Sequence, residues 1–304
     1  MEPVFSVTPN RLNTLQQKPM AEIIDGQKVA DQIKMALRIE VRKDPNLDPR
    51  LDAILVGDNP ASHIYVSMKK KACEAIGFRS HIHTLPENVS EQKLIELINQ
   101  LNDDDNVNGI LVQLPLPKHI NKEIIFSTLS PLKDIDCFHP TNMGLLVVGQ
   151  AFFKPCTPAA ILNLLENYKI PLEGKHAVVI GRSTLVGKPV ALLLLEKNCT
   201  VTICHSKTKN LFDLTKTADI LIVAAGQPEF IKADSVKKGA VVVDVGIHKL
   251  DGKKIVGDVA FDEVSKKASW ITPVPGGVGP MTIAMLLHNT YQAAILQKGK
   301  DEPS

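Results

Sequence analysis

The chain has 304 residues, which is long enough for two domains, and its 44% hydrophobic and 22% charged residues are typical of a globular protein. With 35 basic and 33 acidic residues the formal net charge is only +2, which gives no indication of a nucleic-acid-binding surface or of attraction to a membrane. The five cysteines are scattered and include no Cys-x-x-Cys pair. We therefore expect reduced thiols, no metal site and a cytoplasmic location.

Residues 1–19 are polar and irregular and precede the first organised segment. They lack the apolar stretch of a secretory signal, and they are poorer in arginine than an organelle transit peptide. We expect a flexible extension, or a stretch ahead of a start at Met20.

From residue 20 onward, apolar strands alternate with helical patterns, which predicts an α/β protein. The first half is predicted to contain, in order, a strand at 50–56, a helix at 62–76 that stops at Gly77, a helix capped by Ser90, a short strand beginning at 108 and a loop-rich region at 131–155.

A second series of elements begins at TPAAILNLLENY, where Thr157 is predicted to cap a helix with Pro158 at its first position. HAVVIGRSTLVGKPV then reads as strand, glycine turn and helix, and TVTICHS, ADILIVAAG and AVVVDVGI read as three further strands. This succession predicts a Rossmann-like parallel sheet. We expect the C-terminal helix to return to the first domain, so that residues 20–157 plus 281–304 form a substrate domain and 158–280 a nucleotide domain.

The glycine turn in VVIGRSTLVGKPV has the physical features of a dinucleotide site. Gly181 ends a strand and Gly187 begins a helix, so the backbone can approach a pyrophosphate at a helix N-terminus. The Gly-x5-Gly spacing is not the standard three-glycine fingerprint, and a purely structural turn is the competing interpretation.

The end of the next strand indicates which nicotinamide cofactor would bind. An NAD site usually ends this strand with Asp or Glu, but TVTICHSKTKN has His205, Ser206 and Lys207 there. A hydroxyl and cations accept a 2′-phosphate that a carboxylate would repel, and Arg182 adds a further cation. NADP is therefore favoured over NAD, although solvated basic side chains in a loop are the alternative interpretation.

In ASHIYVSMKKKACEAIG, Ser62, Tyr65 and Lys69 share one helix stripe because they are spaced i, i+3 and i+7. An aromatic ring one turn from a lysine provides a stacking surface beside a titratable amine. A partly desolvated lysine can act as a general acid or base near neutral pH. By itself the pattern is weak, because runs of three lysines are usually solvated.

Several segments together resemble those of the methylenetetrahydrofolate dehydrogenase/cyclohydrolase family, and they occur in that family's order. They are YVSMK, GILVQLPLP, KDIDCFHPTNMG, PCTP, GRSTLVGKP, CHSKT, DVGI, VGDV and TPVPGGVGPMT. The resemblance covers about residues 22–294. It implies NADP-dependent oxidation of 5,10-methylenetetrahydrofolate to the 5,10-methenyl cation, followed by hydrolysis to 10-formyltetrahydrofolate at the same folate site.

The same resemblance assigns roles on the folate side. Lys69 matches the acid/base of the hydrolysis, and Gln113 matches the glutamine that orients it. Tyr65 matches the ring that stacks on folate, Asp136 the carboxylate that pairs with the pterin, and Ser62 is a weaker candidate for a contact near Lys69. A core tyrosine, a loop-capping aspartate and a strand-end amide are the alternatives.

On the cofactor side the resemblance assigns nucleotide and phosphate contacts, nicotinamide-end contacts and a loop between the two ligands. These are, respectively, Gly181, Arg182, Ser183 and Ser206; Ile247 and Thr282; and Pro273, Pro275, Gly276 and Gly277. The resemblance also implies a homodimer formed through the nucleotide domain.

One position departs from the family pattern, because Cys137 follows Asp136 where the family usually has glycine. If that position requires a positive φ, a cysteine costs about 1 kcal/mol or more, and the loop carrying Asp136 is affected.

Two other functions compete with this interpretation. One is an NAD-linked member that acts mainly as a dehydrogenase, against which the His205–Lys207 strand end argues. The other is a folate- or nucleotide-binding protein without turnover, against which an intact Lys69 and Gln113 argue.

Overall fold

The computed structural model describes residues 20–250 and 254–299. The strands are β1 (Glu22–Ile23), β2 (Arg50–Val56), β3 (Arg79–Leu85), β4 (Gly109–Val112), β5 (His176–Ile180), β6 (Thr200–Cys204), β7 (Ile220–Val223), β8 (Val241–Asp244), β9 (His248–Lys249), β10 (Ile255–Val256) and β11 (Trp270–Ile271).

The α-helices mostly alternate with these strands, as the sequence pattern predicts, but three helices follow one another between β4 and β5, and one of them lies in the region predicted to be loop-rich. They are α1 (Gly26–Lys43), α2 (Pro60–Ile76), α3 (Glu91–Asp103), α4 (Lys122–Thr128), α5 (Pro140–Val147), α6 (Cys156–Asn167), α7 (Gly187–Glu196), α8 (Leu211–Thr215), α9 (Phe261–Val264) and α10 (Val278–Lys298).

The first of two parallel sheets has the strand order β3-β2-β4. Its central strand is almost wholly buried, because RLDAILV has helices on both faces and therefore needs apolar side chains at nearly every position. The segment after α4 extends this sheet, since Asp134 forms a parallel bridge with Ile110 beside β4. This extension brings the loop that carries Asp136 next to the end of β4.

The second sheet has the order β1-β11-β8-β7-β5-β6, and all its strands are parallel. Strands β7 and β8 are buried at every position, as ILIV and VVVD require in a sheet covered on both sides. The predicted two-domain α/β fold with a Rossmann-like parallel sheet is confirmed. Strand β1 belongs to this second sheet, although it precedes the first sheet in the chain.

The C-terminal helix α10 packs against α1 and also against α6. The predicted return of this helix to the first domain is therefore confirmed. Its core-facing side chains include Met281, Ala284 and Leu287, each fully buried. The helix is longer than the pattern suggested, since it begins at Val278 and ends at Lys298.

Helix ends follow local rules where a side chain is free to cap. Ser90 accepts a hydrogen bond from the Lys93 N–H, and Gly77 ends α2 with φ 93°. The predicted cap at Thr157 is wrong. Helix α6 begins at Cys156, with Pro155 at the N-cap position and no side-chain cap, because the Thr157 hydroxyl contacts α10 instead.

No helix in the described residues is long and apolar enough to cross a membrane. The five cysteines are all buried and unbridged, as predicted for reduced thiols.

Candidate active site

Lys69 lies in the middle of α2 and points at the carboxyl end of β4. Its Nζ donates a 3.0 Å hydrogen bond to Oε1 of Gln113. The Gln113 amide is itself oriented, because its Nε2 donates to the Leu114 carbonyl at 2.7 Å and its backbone N–H donates to Ile54. With the amide nitrogen engaged in this way, the oxygen faces the lysine. The predicted pairing of Lys69 with Gln113 is therefore present in the fold.

Burial lowers the pKa of Lys69, and the nearby Asp136 carboxylate opposes that effect. The Cys156 thiol lies close to both groups, but burial raises its pKa well above the ordinary value, so the thiol stays neutral. Asp136 is thus the charge that acts on the amine. A lysine in this environment can lose its proton at lower pH than a lysine in water.

Tyr65 lies one turn before Lys69 on the same helix and is 39% exposed. That exposure excludes a core tyrosine and leaves the ring available for stacking on a flat ligand. Ser62 is buried, and its backbone N–H donates to the side chain of Asn59, which caps α2. Ser62 thus lies in the capped first turn of the helix that carries Lys69.

Asp136 is held in place by a carboxylate that the sequence reasoning did not identify. Asp134 accepts hydrogen bonds from the N–H groups of Phe138 and His139 and from the Asn142 side chain, at 3.0, 2.8 and 2.8 Å. Asp134 is therefore the loop-capping residue, and Asp136 is left half-buried and facing Lys69. The first Asp of KDIDCF was the available sequence signal, since a short acid before a turn commonly caps it.

Cys137 adopts φ 59°, in the left-handed region, and its side chain is 1% exposed. Position 137 therefore has the positive φ at which a cysteine is unfavourable, and the family usually has glycine there. Left-handed backbone costs a residue with a Cβ about 1 kcal/mol. The loop nevertheless keeps Asp136 near Lys69.

Asn289 on α10 links this loop to the segment that precedes α6. Its Nδ2 donates to the carbonyls of Ile135 and Lys154 at 2.8 and 2.9 Å, and it is 4% exposed. No sequence pattern pointed to it, since an isolated asparagine in an apolar helix has no diagnostic spacing.

The glycine turn after β5 requires both of its glycines. Gly181 has φ 129°, and a Cβ there would lie 2.6 Å from the Ala224 carbonyl oxygen. A Cβ on Gly187 would collide with the Gly181 carbonyl. The Ser183 hydroxyl accepts from the N–H groups of Val186 and Gly187, at 3.1 and 3.3 Å, and so closes the turn. The turn is compact, and its backbone is accessible to a ligand.

At the end of β6, the exposed Ser206 and Lys207 stand beside His205. The His205 ring nitrogen accepts from the Lys207 N–H at 3.1 Å, which fixes the loop. Arg182 is exposed at the neighbouring turn. These groups surround the point where the sheet's parallel strands end, and they suit a phosphate better than a diol.

The loop PVPGG directly precedes α10 and is tied to α1. The Gln27 N–H donates to the Gly276 carbonyl at 3.0 Å, and Gly276 has φ 107°. Pro275 is exposed on this loop. Thr282 follows in the second turn of α10, and its hydroxyl lies 3.2 Å from that of Thr157.

Ile247 is 49% exposed at the end of β8, and its Cδ1 would lie 3.7 Å from a Cβ at Gly279 in α10. It therefore faces the start of the same helix that carries Thr282.

Two further buried carboxylates, Asp244 and Asp258, lie under the nucleotide-side loops and were not assigned from the sequence. Their signal was present in the paired segments DVG and VGD, where each acid lies within two positions of a glycine. Across the described ranges, no three His, Cys, Asp or Glu side chains are grouped to hold a metal ion.

Comparisons with known proteins match most of the chain, in both of its sheets. The family model "Tetrahydrofolate dehydrogenase/cyclohydrolase, catalytic domain" matches residues 24–136, and the corresponding "NAD(P)-binding domain" model matches residues 155–298. A "Bifunctional protein FolD" from Acetivibrio thermocellus is 54% identical, over 91% of this chain and 98% of that protein.

Two solved structures are similar over the same extent. A bifunctional FolD methylenetetrahydrofolate dehydrogenase/cyclohydrolase from Campylobacter jejuni has a TM-score of 0.89 and 52% identity, covering 91% of this chain and 99% of that one. A Trypanosoma brucei methylenetetrahydrofolate dehydrogenase-cyclohydrolase, complexed with NADP and an inhibitor, has a TM-score of 0.88 and 39% identity, covering 93% and 100%.

Proposed function

The chain belongs to the tetrahydrofolate dehydrogenase/cyclohydrolase family, and we propose on that premise that Lys69 and the residues around it carry out its folate chemistry. The enzyme oxidises 5,10-methylenetetrahydrofolate to 5,10-methenyltetrahydrofolate with NADP and hydrolyses the product to 10-formyltetrahydrofolate. The observation that carries the assignment is the 3.0 Å bond between Lys69 and Gln113, in a place where burial lowers the lysine pKa.

In the hydrolysis, neutral Lys69 takes a proton from the water that adds to the cationic one-carbon bridge. A carbon–oxygen bond forms, the carbon–nitrogen bond to the pterin nitrogen breaks, and that nitrogen receives a proton. One proton is released overall. The cationic substrate itself favours the neutral amine, because like charges lower a lysine pKa. Gln113 keeps the amine aimed at the water, Tyr65 stacks on the folate, Asp136 pairs with the pterin and Ser62 supports the turn below.

NADP, when bound, accepts the hydride from the one-carbon bridge. The residues present fit it, because Gly181 and Gly187 leave backbone open for a pyrophosphate, and Ser183 closes that turn. Arg182 and Ser206 would hold the 2′-phosphate. Ile247 and Thr282 would line the nicotinamide end, and Pro275 and Gly276 would separate it from folate. Holding the two reacting carbons in one geometry is the protein's main contribution to this step.

Three further assignments belong to the same proposal. A homodimer through the nucleotide domain is supported by exposed apolar side chains there, including Leu195, Ile203 on edge strand β6, and Phe212. Sedimentation of the purified protein tests it, and a monomer would contradict it. The buried unbridged thiols support a cytoplasmic location. The proposed domains are residues 20–157 plus 281–304 and residues 158–280, with β1 of the first segment contributing an edge strand to the sheet of the second.

The experiment follows methylenetetrahydrofolate oxidation and methenyl hydrolysis by absorbance, with NADP and NAD compared, in the wild type and Lys69→Ala. We expect NADP preference, and about a 100-fold or larger loss of hydrolysis in the variant, the range that a general base contributes. Lys71→Ala is the matched control, since Lys71 is exposed on the same helix. Binding of folate and NADP by the wild type without turnover would contradict the proposal, as would full hydrolysis by Lys69→Ala.

A further inference from the structure

Two buried carboxylates lie beneath the loops that follow β7 and β8. Asp258 is 0% exposed and Asp244 is 3% exposed. Neither belongs to the folate side of the molecule, and neither reaches the surface where a cofactor would bind. A buried carboxylate is costly unless its oxygens are well bonded, so such a pair requires an explanation.

Asp258 accepts hydrogen bonds from backbone N–H groups of the loop after β7. Its Oδ2 accepts from the N–H groups of Ala225 and Gly226 at 2.6 and 2.9 Å, and its Oδ1 accepts from Gln227 at 3.0 Å. The Nε2 of His248 lies 2.7 Å from the same Oδ1. Four partners, three from the loop after β7 and one from β9, therefore converge on one carboxylate.

Asp244, at the end of β8, accepts hydrogen bonds from a second set of backbone N–H groups. It accepts from the N–H groups of Gly246, Asp258 and Val259, each at 2.9 Å. Asp244 thus holds the strand end that leads to Ile247, and it also holds the backbone of Asp258 itself.

The two aspartates are interlocked through glycines. A Cβ on Gly246 would collide with the Asp258 carboxylate, and a Cβ on Gly257 would collide with the Asp244 carboxylate. Each glycine therefore provides the space that the other segment's acid occupies. The segment around Asp258 is further fixed by a parallel bridge between Ile231 and Val259.

The loops held by this network flank the nucleotide site on both sides. The residue before Ala225 is Ala224, whose carbonyl is the atom that excludes a side chain at Gly181. On the other side, Ile247 reaches the first turn of α10 at Gly279. A shift of the Asp258 carboxylate would therefore move two segments together. One is the segment at Ala224, which contacts the glycine turn, and the other is the loop that carries Ile247.

We propose that Asp258, supported by Asp244, is a positioning residue for the nicotinamide cofactor, setting the loops 225–227 and 246–248 at the spacing that the cofactor requires. The inference rests on the proposed function, because it presupposes that NADP binds at the Gly181 turn. Asp258 does not touch the reacting atoms and acts through the backbone it holds.

The test measures NADP affinity of Asp258→Asn by titration calorimetry, and methenyl hydrolysis of the same protein without cofactor. The amide keeps the shape but replaces one acceptor oxygen with a donor that faces backbone N–H groups. We expect NADP to bind at least tenfold more weakly, while the cofactor-independent hydrolysis stays within twofold of the wild type.

Asp219→Asn is the matched control, because Asp219 also accepts a backbone N–H, from His176, but lies at the opposite end of the same sheet. It should bind NADP as the wild type does. His248→Leu is a second variant in case Asp258→Asn does not fold. It removes one of the four partners, and we expect about threefold weaker NADP binding with hydrolysis unchanged.

NADP affinity within twofold of the wild type in the folded aspartate variant, or in His248→Leu if only that variant folds, would overturn the inference. Equal weakening of NADP binding in Asp219→Asn would also overturn it, because the effect would then be general destabilisation. Failure of the wild type to bind NADP would instead refute the proposed function.

Discussion

The charge balance around Lys69 determines at which pH the amine can act as a base. Burial lowers the lysine pKa and the Asp136 carboxylate raises it, so the two effects can be separated by substitution. In the proposed hydrolysis, the neutral amine is the active form. The rising limb of the rate against pH should therefore follow the lysine pKa.

Asp136→Asn removes the charge that raises this pKa, so the rising limb of kcat for hydrolysis should move to lower pH. Gln113→Glu retains an acceptor oxygen but places a negative charge at the position now 3.0 Å from the amine, so the limb should move to higher pH. Profiles are measured at saturating methenyltetrahydrofolate, because we expect Asp136→Asn to weaken folate binding as well. Shifts in the same direction for both variants would refute the assignment of Lys69 as the base.

Substitutions at Cys137 measure how much stability the protein loses through the left-handed backbone of this loop. Cys137→Ala and Cys137→Gly both remove the buried thiol, but only glycine removes the Cβ that is unfavourable at φ 59°. We expect the glycine variant to be more stable than the alanine variant by about 1 kcal/mol, measured by urea unfolding. An alanine variant of equal or greater stability would show that the loop accommodates a Cβ without strain.

At the scale of elements, α10 connects the two halves of the site. It begins beside the PVPGG loop, carries Thr282 in its second turn, and presents Asn289 to the loop before Asp136. A single helix therefore spans from the proposed nicotinamide end to the proposed pterin end. We therefore expect the positioning of folate against the cofactor to depend on where this helix docks.

Asn289→Ala should loosen the Asp136 loop, because the carbonyls of Ile135 and Lys154 lose their buried donor. Each such loss costs about 1–3 kcal/mol, so we expect about 3 kcal/mol of destabilisation and a raised KM for the folate substrate. Ile295→Ala, at a position 45% exposed on the same helix, is the control and should change stability by less than about 1 kcal/mol. Unfolding by urea and steady-state kinetics measure both. An unchanged folate KM would show that the loop is held by other contacts.

A helix boundary could be predicted from the sequence where a local rule controlled that end of the helix, and could not where a tertiary contact did. Ser90 and Gly77 act within one turn of chain, so the pattern predicted their roles correctly. Thr157 has an equally good capping side chain, but its hydroxyl contacts Thr282, 125 residues away. Local propensity identified the helix, and packing against α10 decided how it begins.

At the scale of the whole molecule, the parallel α/β class followed from strand-helix alternation and from strands that are apolar at nearly every position. The glycine turn, the absence of an acid at the end of β6, and the stripe of Ser62, Tyr65 and Lys69 are also properties of short segments. These features could be predicted from the sequence because backbone conformation and side-chain periodicity are set within a few consecutive residues. The order of several specific segments then indicated the family, which the comparisons confirm.

Only the tertiary structure decided which distant groups meet. Gln113 reaches Lys69 across 44 positions, Asp258 reaches Ala225 across 33, and Asn289 reaches Ile135 across 154. The placement of β1 in the second sheet and the interlock of Asp244 with Asp258 are of the same kind. Such contacts depend on how strands order in a sheet and on how loops close between them. No local period encodes either, so the sequence alone determined the elements and their chemistry, and the packing of those elements determined the site.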